Sequence, residues 1–167
     1  MLARDCMSMS IQIESPQAPD VQSLIEALDR YQAPLYPPES NHLLSLESLC
    51  APDIRFFVAR RQAQALGCAA LRVFSDYGEI KRMFVAPEAR GQRLGVQLLA
   101  ALVTCARRES LLRLRLETGI YQHEALRLYR VAGFRECEPF GEYRPDPLSI
   151  FMELELTKEG RDRPDES

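Results

Sequence analysis

The stretch GEIKRMFVAPEARGQRLGVQLLAALVTCAR, residues 78–107, decides how the rest of the chain is read. Its first part carries Ile80, Met83, Phe84 and Val85 in a short apolar run closed by Ala86 and Pro87, the pattern of a strand ending at a turn. Its last part sets Leu94, Leu98, Leu102 and Cys105 at helical spacing, with Leu99 and Val103 widening the stripe. A strand that feeds a helix through so short a turn leaves the first N–H groups of the helix unpaired, where the helix dipole also favours negative charge. The expected product is an anion site suited to phosphate. Gly91 and Gly95 let backbone approach a ligand, and Lys81, Arg82, Arg90 and Arg93 add positive charge. Glycines and arginines alone do not separate this from a solvated basic turn before an ordinary amphipathic helix.

Working downstream, LLRLRLE at 111–117 alternates as a strand with leucines inward. A strand, a helix and a second strand make most economically a right-handed parallel pair. Residues 122–132 read as a helix with Ala125, Leu128, Tyr129 and Ala132 on one face, stopped by Gly133. Residues 134–140 and 149–156 read as two last strands joined by GEYRPDPL, and the charged run 157–167 as a disordered tail.

Upstream, 55–60 and 66–74 read as a hairpin that leads through SDYG into the strand from Glu79, a three-stranded antiparallel meander. Residues 1–10 read as a flexible leader and 11–14 as a first strand. A helix follows, capped by Asp20 and ending near Arg30, with Val21, Leu24, Ile25 and Leu28 on one face. Three prolines in APLYPPESNH, 33–42, exclude regular structure there. The loop reads either as a connector or as a substrate lip offering Tyr36, Glu39 and His42. A short helix over 43–49 follows it.

The whole is an α/β mixed sheet with helices on both faces, within the range of one domain over 11–156. A net charge of −3 and a pI near 5.5 leave no broad basic surface for nucleic acid, and the absence of tryptophan argues against a stacking platform. No apolar run approaches the ~20 residues that span a bilayer, so a cytoplasmic protein without a membrane partner is expected. Five scattered cysteines and two distant histidines point to reduced thiols packed as small apolar groups and give no support for a metal site.

Within the opening stretch, VAPEARGQRLGVQLL resembles the acetyl-coenzyme A signature of the GNAT superfamily of N-acetyltransferases, Arg/Gln-x-x-Gly-x-Gly/Ala, with Arg93 where that family usually has glycine. LYRVAGF, 128–134, is similar to the end of the family's fourth helix, and Gln122 stands where the family commonly has a coenzyme-contacting asparagine. LYPPESNH, LETG at 116–119 and FGEYRPDPLSIFME at 140–153 together look like a set of small bacterial members. The resemblance covers roughly residues 55–135, with the N-terminal third following by topology.

It implies a mostly antiparallel sheet with one splayed parallel pair and acetyl-CoA as co-substrate. Met83, Phe84 and Val85 would line the pantetheine arm. Arg90, Gly91, Gln92, Arg93, Leu94, Gly95 and Val96 would hold the pyrophosphate, with Gln122 and Tyr129 beside the thioester. Tyr129 matches the family's general acid. Glu79 and Glu117 are the candidate bases, each of which also reads as a strand-end carboxylate, and water-relayed deprotonation stays open. Tyr36, Glu39, His42 and Tyr143 would meet the acceptor, expected to be a primary amine of a small molecule or amino-acid-like compound, and a homodimer through strand edges is allowed. Two alternatives stand beside this: a non-catalytic coenzyme A-binding module, and a protein-lysine acetyltransferase. A dinucleotide-binding oxidoreductase is disfavoured, because Gly91 and Gly95 do not give Gly-x-Gly-x-x-Gly.

Overall fold

The computed structural model describes residues 8–156. Most of the expected leader and the whole of the expected tail lie outside the described residues, while Met9 and Ser10 belong to a strand. Among the described residues the elements run β1 (Met9–Ile13), α1 (Pro19–Gln32), α2 (Leu46–Leu49), β2 (Ile54–Arg61), β3 (Gln64–Val73), β4 (Tyr77–Val85), α3 (Leu94–Arg108), β5 (Arg113–Gly119), α4 (His123–Val131), β6 (Arg135–Glu136) and β7 (Ser149–Glu155). The strands form one sheet in the order β1-β2-β3-β4-β5-β7-β6. Every neighbouring pair is antiparallel except β4 and β5. The mixed α/β sheet with one parallel pair is therefore as expected.

Each face of the sheet is covered because each strand alternates. On one face, Leu94, Leu98 and Leu102 of α3 and Leu126 and Tyr129 of α4 pack with Leu71, Leu114, Leu116 and Met152 of the sheet. On the other, Val21, Leu24, Ile25 and Leu28 of α1 pack with Phe56, Val58, Cys68 and Phe84. Burying one such leucine contributes about 2 kcal/mol. Gly78 lets the layers meet, since a Cβ there would lie 2.6 Å from a methyl of Leu71.

Several expectations need correction. The N-cap of α1 is Ala18, with Pro19 at the first turn; Asp20 instead accepts from the N–H of Val21 at 3.0 Å and pairs with Arg60. The helix expected over 43–49 is the single turn Leu46–Leu49, capped by Ser45, whose Oγ accepts from the N–H of Ser48 at 3.1 Å. In the proline loop Pro38–Ser40 forms a 3-10 turn, because proline at a first helical position gives up no needed hydrogen bond. The strand expected over 134–140 shrinks to β6, since Pro139 has no N–H to donate and Phe140 turns in against Phe151 and Tyr143. Cys68 is packed as expected, but Cys50 is exposed.

β4 carries the feature on which the site depends. Its pairing with β3 shifts between Cys68 and Ala70, where β4 holds one extra residue, and Arg82 within that bulge has φ 57°. A left-handed conformation costs a non-glycine residue about 1–2 kcal/mol. Here it turns the Arg82 guanidinium to Asp29 of α1 and to the carbonyl of Leu44, which accepts from Nε at 3.2 Å and also from Nη2. The parallel pairing of β4 with β5 stops just before the bulge, at Ile80 opposite Leu116. Beyond it β4 continues against β3, and β5 against β7.

Arg82→Ala removes the bonds that hold this bulge and leaves the Leu44 carbonyl without its donor. We expect a loss of about 2 kcal/mol in chemical denaturation, together with faster hydrogen exchange along residues 81–85.

Candidate active site

Three adjoining spaces lie around the point where β4 and β5 diverge. The first is a groove of about 640 Å³ between the end of β4 and the start of α3. The second is a narrow cavity of about 70 Å³ at the point of divergence, lined by residues that include Tyr36, His42, Glu117, Gln122 and Tyr129. The third is an outer pocket of about 730 Å³ toward the 140–146 loop. Leu28, Met83, Gln122 and Ala125 border both groove and narrow cavity, and His42 and Lys81 border both narrow cavity and outer pocket.

The groove contains most of the residues expected to hold an anion and an apolar arm. Met83, Phe84, Val85, Arg90, Gly91, Arg93, Leu94, Gly95, Val96 and Gln122 line it. Helical hydrogen bonding in α3 begins with the N–H of Gln97 on the carbonyl of Arg93, 3.1 Å. The N–H groups of Leu94, Gly95 and Val96 therefore stand ahead of the ladder, at the positive end of the helix dipole. Gly91 has φ 77° and nothing within 4 Å of where a Cβ would sit, so the backbone is open to a ligand. The substitution at Arg93 finds its reason in the backbone: this residue caps α3 with φ 61°, a conformation glycine adopts freely and arginine at a cost. Its exposed side chain leaves the groove open.

Other expected members are elsewhere. Gln92 does not line the groove; its side-chain oxygen accepts from Arg61. Lys81 and Arg82 do not add charge to the phosphate end: Arg82 is held by Asp29 and Leu44, and Lys81 faces the outer pocket. Sequence reasoning missed Tyr31, Leu28 and Arg127 in the groove; Arg90 lies over the Tyr31 ring at 5.8 Å. Their signal was a positional one, the exposed end of α1 and one face of α4, and it becomes readable only when the two helices are placed.

At the narrow cavity Tyr129 is 4% exposed and packs against Phe134 at 5.5 Å; its carbonyl accepts from the N–H of Phe134 at 3.0 Å, and its hydroxyl has no hydrogen-bond partner among the described residues. Burial pushes its phenol well above the usual tyrosine range, with the nearby Glu117 charge adding to the effect. Glu117 lines the same cavity and accepts from Ser149 Oγ at 2.7 Å. Burial raises its carboxyl above the ordinary value, an effect that the Ser149 bond and the charges of His42 and Lys81 oppose. Tyr36 fills the place a side chain at position 119 would take: a Cβ on Gly119 would lie 2.0 Å from its ring. Its hydroxyl accepts from the N–H of Tyr121 at 3.1 Å, so Tyr36 is part of the wall and is not an exposed lip.

Glu79 is not at that cavity. It is 5% exposed beside the outer pocket, where Lys81 Nζ donates to it at 3.2 Å and Tyr143 donates its hydroxyl hydrogen. Lys81 also donates to the Tyr143 oxygen at 2.6 Å. Burial, together with the Glu79 charge and bond, keeps the Tyr143 phenol protonated far above its usual range. Glu39, His42 and Tyr143 line this outer pocket together, with Phe74, Tyr77 and Phe140 completing an aromatic wall. The structure thus parts the two carboxylates, Glu117 to the narrow cavity and Glu79 to an ion-paired cluster.

Compared with known proteins, residues 21–134 match the acetyltransferase (GNAT) family. The chain belongs to the GNAT family. It is 52% identical over 151 residues to an IAA acetyltransferase of Azospirillum brasilense, covering 89% of this chain and 99% of that one. Among solved structures, a Klebsiella pneumoniae protein assigned to the acyl-CoA N-acyltransferases superposes with a TM-score of 0.77 at 37% identity, over 90% of this chain and 99% of that chain. The Thermoplasma acidophilum PaiA N-acetyltransferase, solved in complex with coenzyme A, shares the fold with a TM-score of 0.67 at 20% identity, over 89% and 99% of the two chains. This GNAT protein is an acyltransferase, and no helix among its described residues is long and apolar enough to cross a membrane.

The raised carboxyl of Glu117 gives a signed prediction. A carboxylate whose pKa is higher folded than unfolded binds its proton more tightly in the native state, so native stability falls as pH rises through that interval. Glu117→Gln keeps an acceptor for Ser149 and removes the buried charge. It should melt above the native protein at pH 8, with the difference closing below the ordinary carboxylate range of about 4.3. Thermal melts across pH check this.

Proposed function

We propose that the protein transfers acetyl from acetyl-CoA to the primary amine of a small molecule by direct attack. The observation that carries this reading is that the three spaces adjoin through shared lining residues, with Tyr129 and Glu117 bordering the middle one at the point where β4 and β5 part. The groove suits the coenzyme on chemical grounds: apolar Met83, Val85 and Leu128 for the arm, with leading α3 amides, Arg90, Arg93 and Arg127 for phosphates. The coenzyme A complex of the PaiA relative lends support from a protein of the same fold. When bound, acetyl-CoA supplies an activated acyl group.

The chain's own residues do the rest. Backbone N–H groups of β4 beyond the bulge have lost β5 as a partner, and one of them polarises the acetyl oxygen. A thiolate, with a parent pKa of about 8.5, needs an acid that is still protonated at neutral pH. Tyr129, buried and with no partner for its hydroxyl among the described residues, is that acid. Glu117 supplies negative charge on the side from which the acceptor's proton departs. The acceptor comes through the outer pocket, whose size suits a small molecule and whose aromatic wall suits an amine carried on an apolar body.

Tyr129→Phe tests the reading. Turnover should fall about 100-fold while acetyl-CoA affinity by calorimetry stays within about twofold. Unchanged turnover would remove Tyr129 from the reaction, and no acetyl transfer by the native protein to a panel of primary amines would remove the reading itself.

A further inference from the structure

His42 has more to do than touch an acceptor. It leaves the loop after the turn Pro38–Ser40 and borders both the narrow cavity and the outer pocket, where an incoming nitrogen must pass to reach a thioester. Its ring meets Tyr143 edge-on, centroids 5.2 Å apart at 87°, and Tyr143 is itself held by Glu79 and Lys81. Packing therefore orients the imidazole. Its Nε2 is buried and has no hydrogen-bond partner among the described residues. A buried polar atom left so costs about 1–3 kcal/mol, and a cavity beside it gives a ligand N–H the means to remove that cost. The carboxylates of Glu117 and Asp146 lie within electrostatic reach, so positive charge placed on the ring has anionic neighbours.

We propose that His42 Nε2 takes the proton of the acceptor amine, which makes His42 a catalytic residue of this reaction. The inference rests on the acetyltransferase reading and adds the identity of the base. The acceptor arrives as an ammonium, R–NH₃⁺, and gives one proton to the Nε2 lone pair. The neutral amine attacks the acetyl carbon, the C–N bond forms and the C–S bond breaks. Tyr129 protonates the departing sulfur and regains its proton, through water, from the nitrogen now bonded to acetyl. The imidazolium passes its proton to solvent. Amide, free thiol and one released proton close the balance. Imidazole suits the task because it exchanges a proton near neutral pH.

The test uses the full chain, saturating acetyl-CoA and 2-phenylethylamine, with the N-acetyl product read by mass spectrometry. His42→Gln should lower kcat about 100-fold and leave KM within about threefold and acetyl-CoA binding unchanged. Added imidazole should restore product formation by His42→Ala about tenfold or more. A kcat near the native value, or a loss confined to KM, or no rescue by imidazole, would overturn the proposal. Hydrolysis of bound acetyl-CoA by water needs no acceptor and uses the same base, so His42→Gln should slow it about tenfold. Unchanged hydrolysis overturns the proposal, as does a native protein that binds acetyl-CoA yet neither hydrolyses it nor acetylates the amine. A native protein that does not bind acetyl-CoA brings down the acetyltransferase reading instead, a result visible before any variant is made.

Discussion

The buried guanidinium of Arg82 sets the geometry of the molecule. It sits in a strand, in a left-handed conformation, and is held by Asp29 and the Leu44 carbonyl. A strand that stayed regular here would keep pairing with β5 and close the sheet. The extra residue at the bulge turns β4 aside, and the unpaired edges of β4 and β5 become the walls of a cleft. The same bonds tie α1 and the segment after the proline loop to β4, so the cleft and the loop that carries His42 are positioned by one residue.

The cleft divides labour among its parts by the chemistry of their linings. The groove beside α3 combines apolar side chains with a helix N-terminus and arginines, which fits a long ligand that is part hydrocarbon and part phosphate. The middle holds buried groups whose protonation is shifted by desolvation, Tyr129 and Glu117. The outer pocket is walled by Phe74 stacked on Tyr77 and by Tyr77, Phe140 and Tyr143 packed edge to face, with the Glu79–Lys81–Tyr143 cluster as its polar floor. Within that cluster the Glu79 carboxylate is paired with Lys81 and hydrogen-bonded by Tyr143.

Much of this was legible in the sequence. The strand–turn–helix at 78–107 is read from apolar periodicity and two glycines, which are local signals, and β4, the turn and α3 lie there. LYRVAGF marks Tyr129 only through its resemblance to the family, since periodicity alone reads a tyrosine on a helix's apolar face as core. What escaped was every feature made by contact between distant segments. Arg82 and Lys81 read as phosphate-binding charge, because sequence shows a cation but not the Asp29 or Tyr143 that meets it. Tyr36 read as a lip, because nothing local shows that Gly119 leaves room for its ring. Glu79 and Glu117 read alike, because a strand pattern gives the face of a carboxylate but not the point at which two strands part. Gln92, inside the motif, points away from the groove toward Arg61, a partner 31 residues distant.

The central proposal is that the acyl donor binds at the break between β4 and β5 and not on another surface. Titrating ¹⁵N-labelled protein with acetyl-CoA and following backbone amide shifts tests it most directly. The account predicts saturable shifts concentrated at Met83, Val85, Gly91, Gly95 and Val96, with a smaller set at Thr118 and Gly119 across the cleft. Shifts centred on the outer pocket or the far face of α1, with those amides unmoved at saturation, would contradict it.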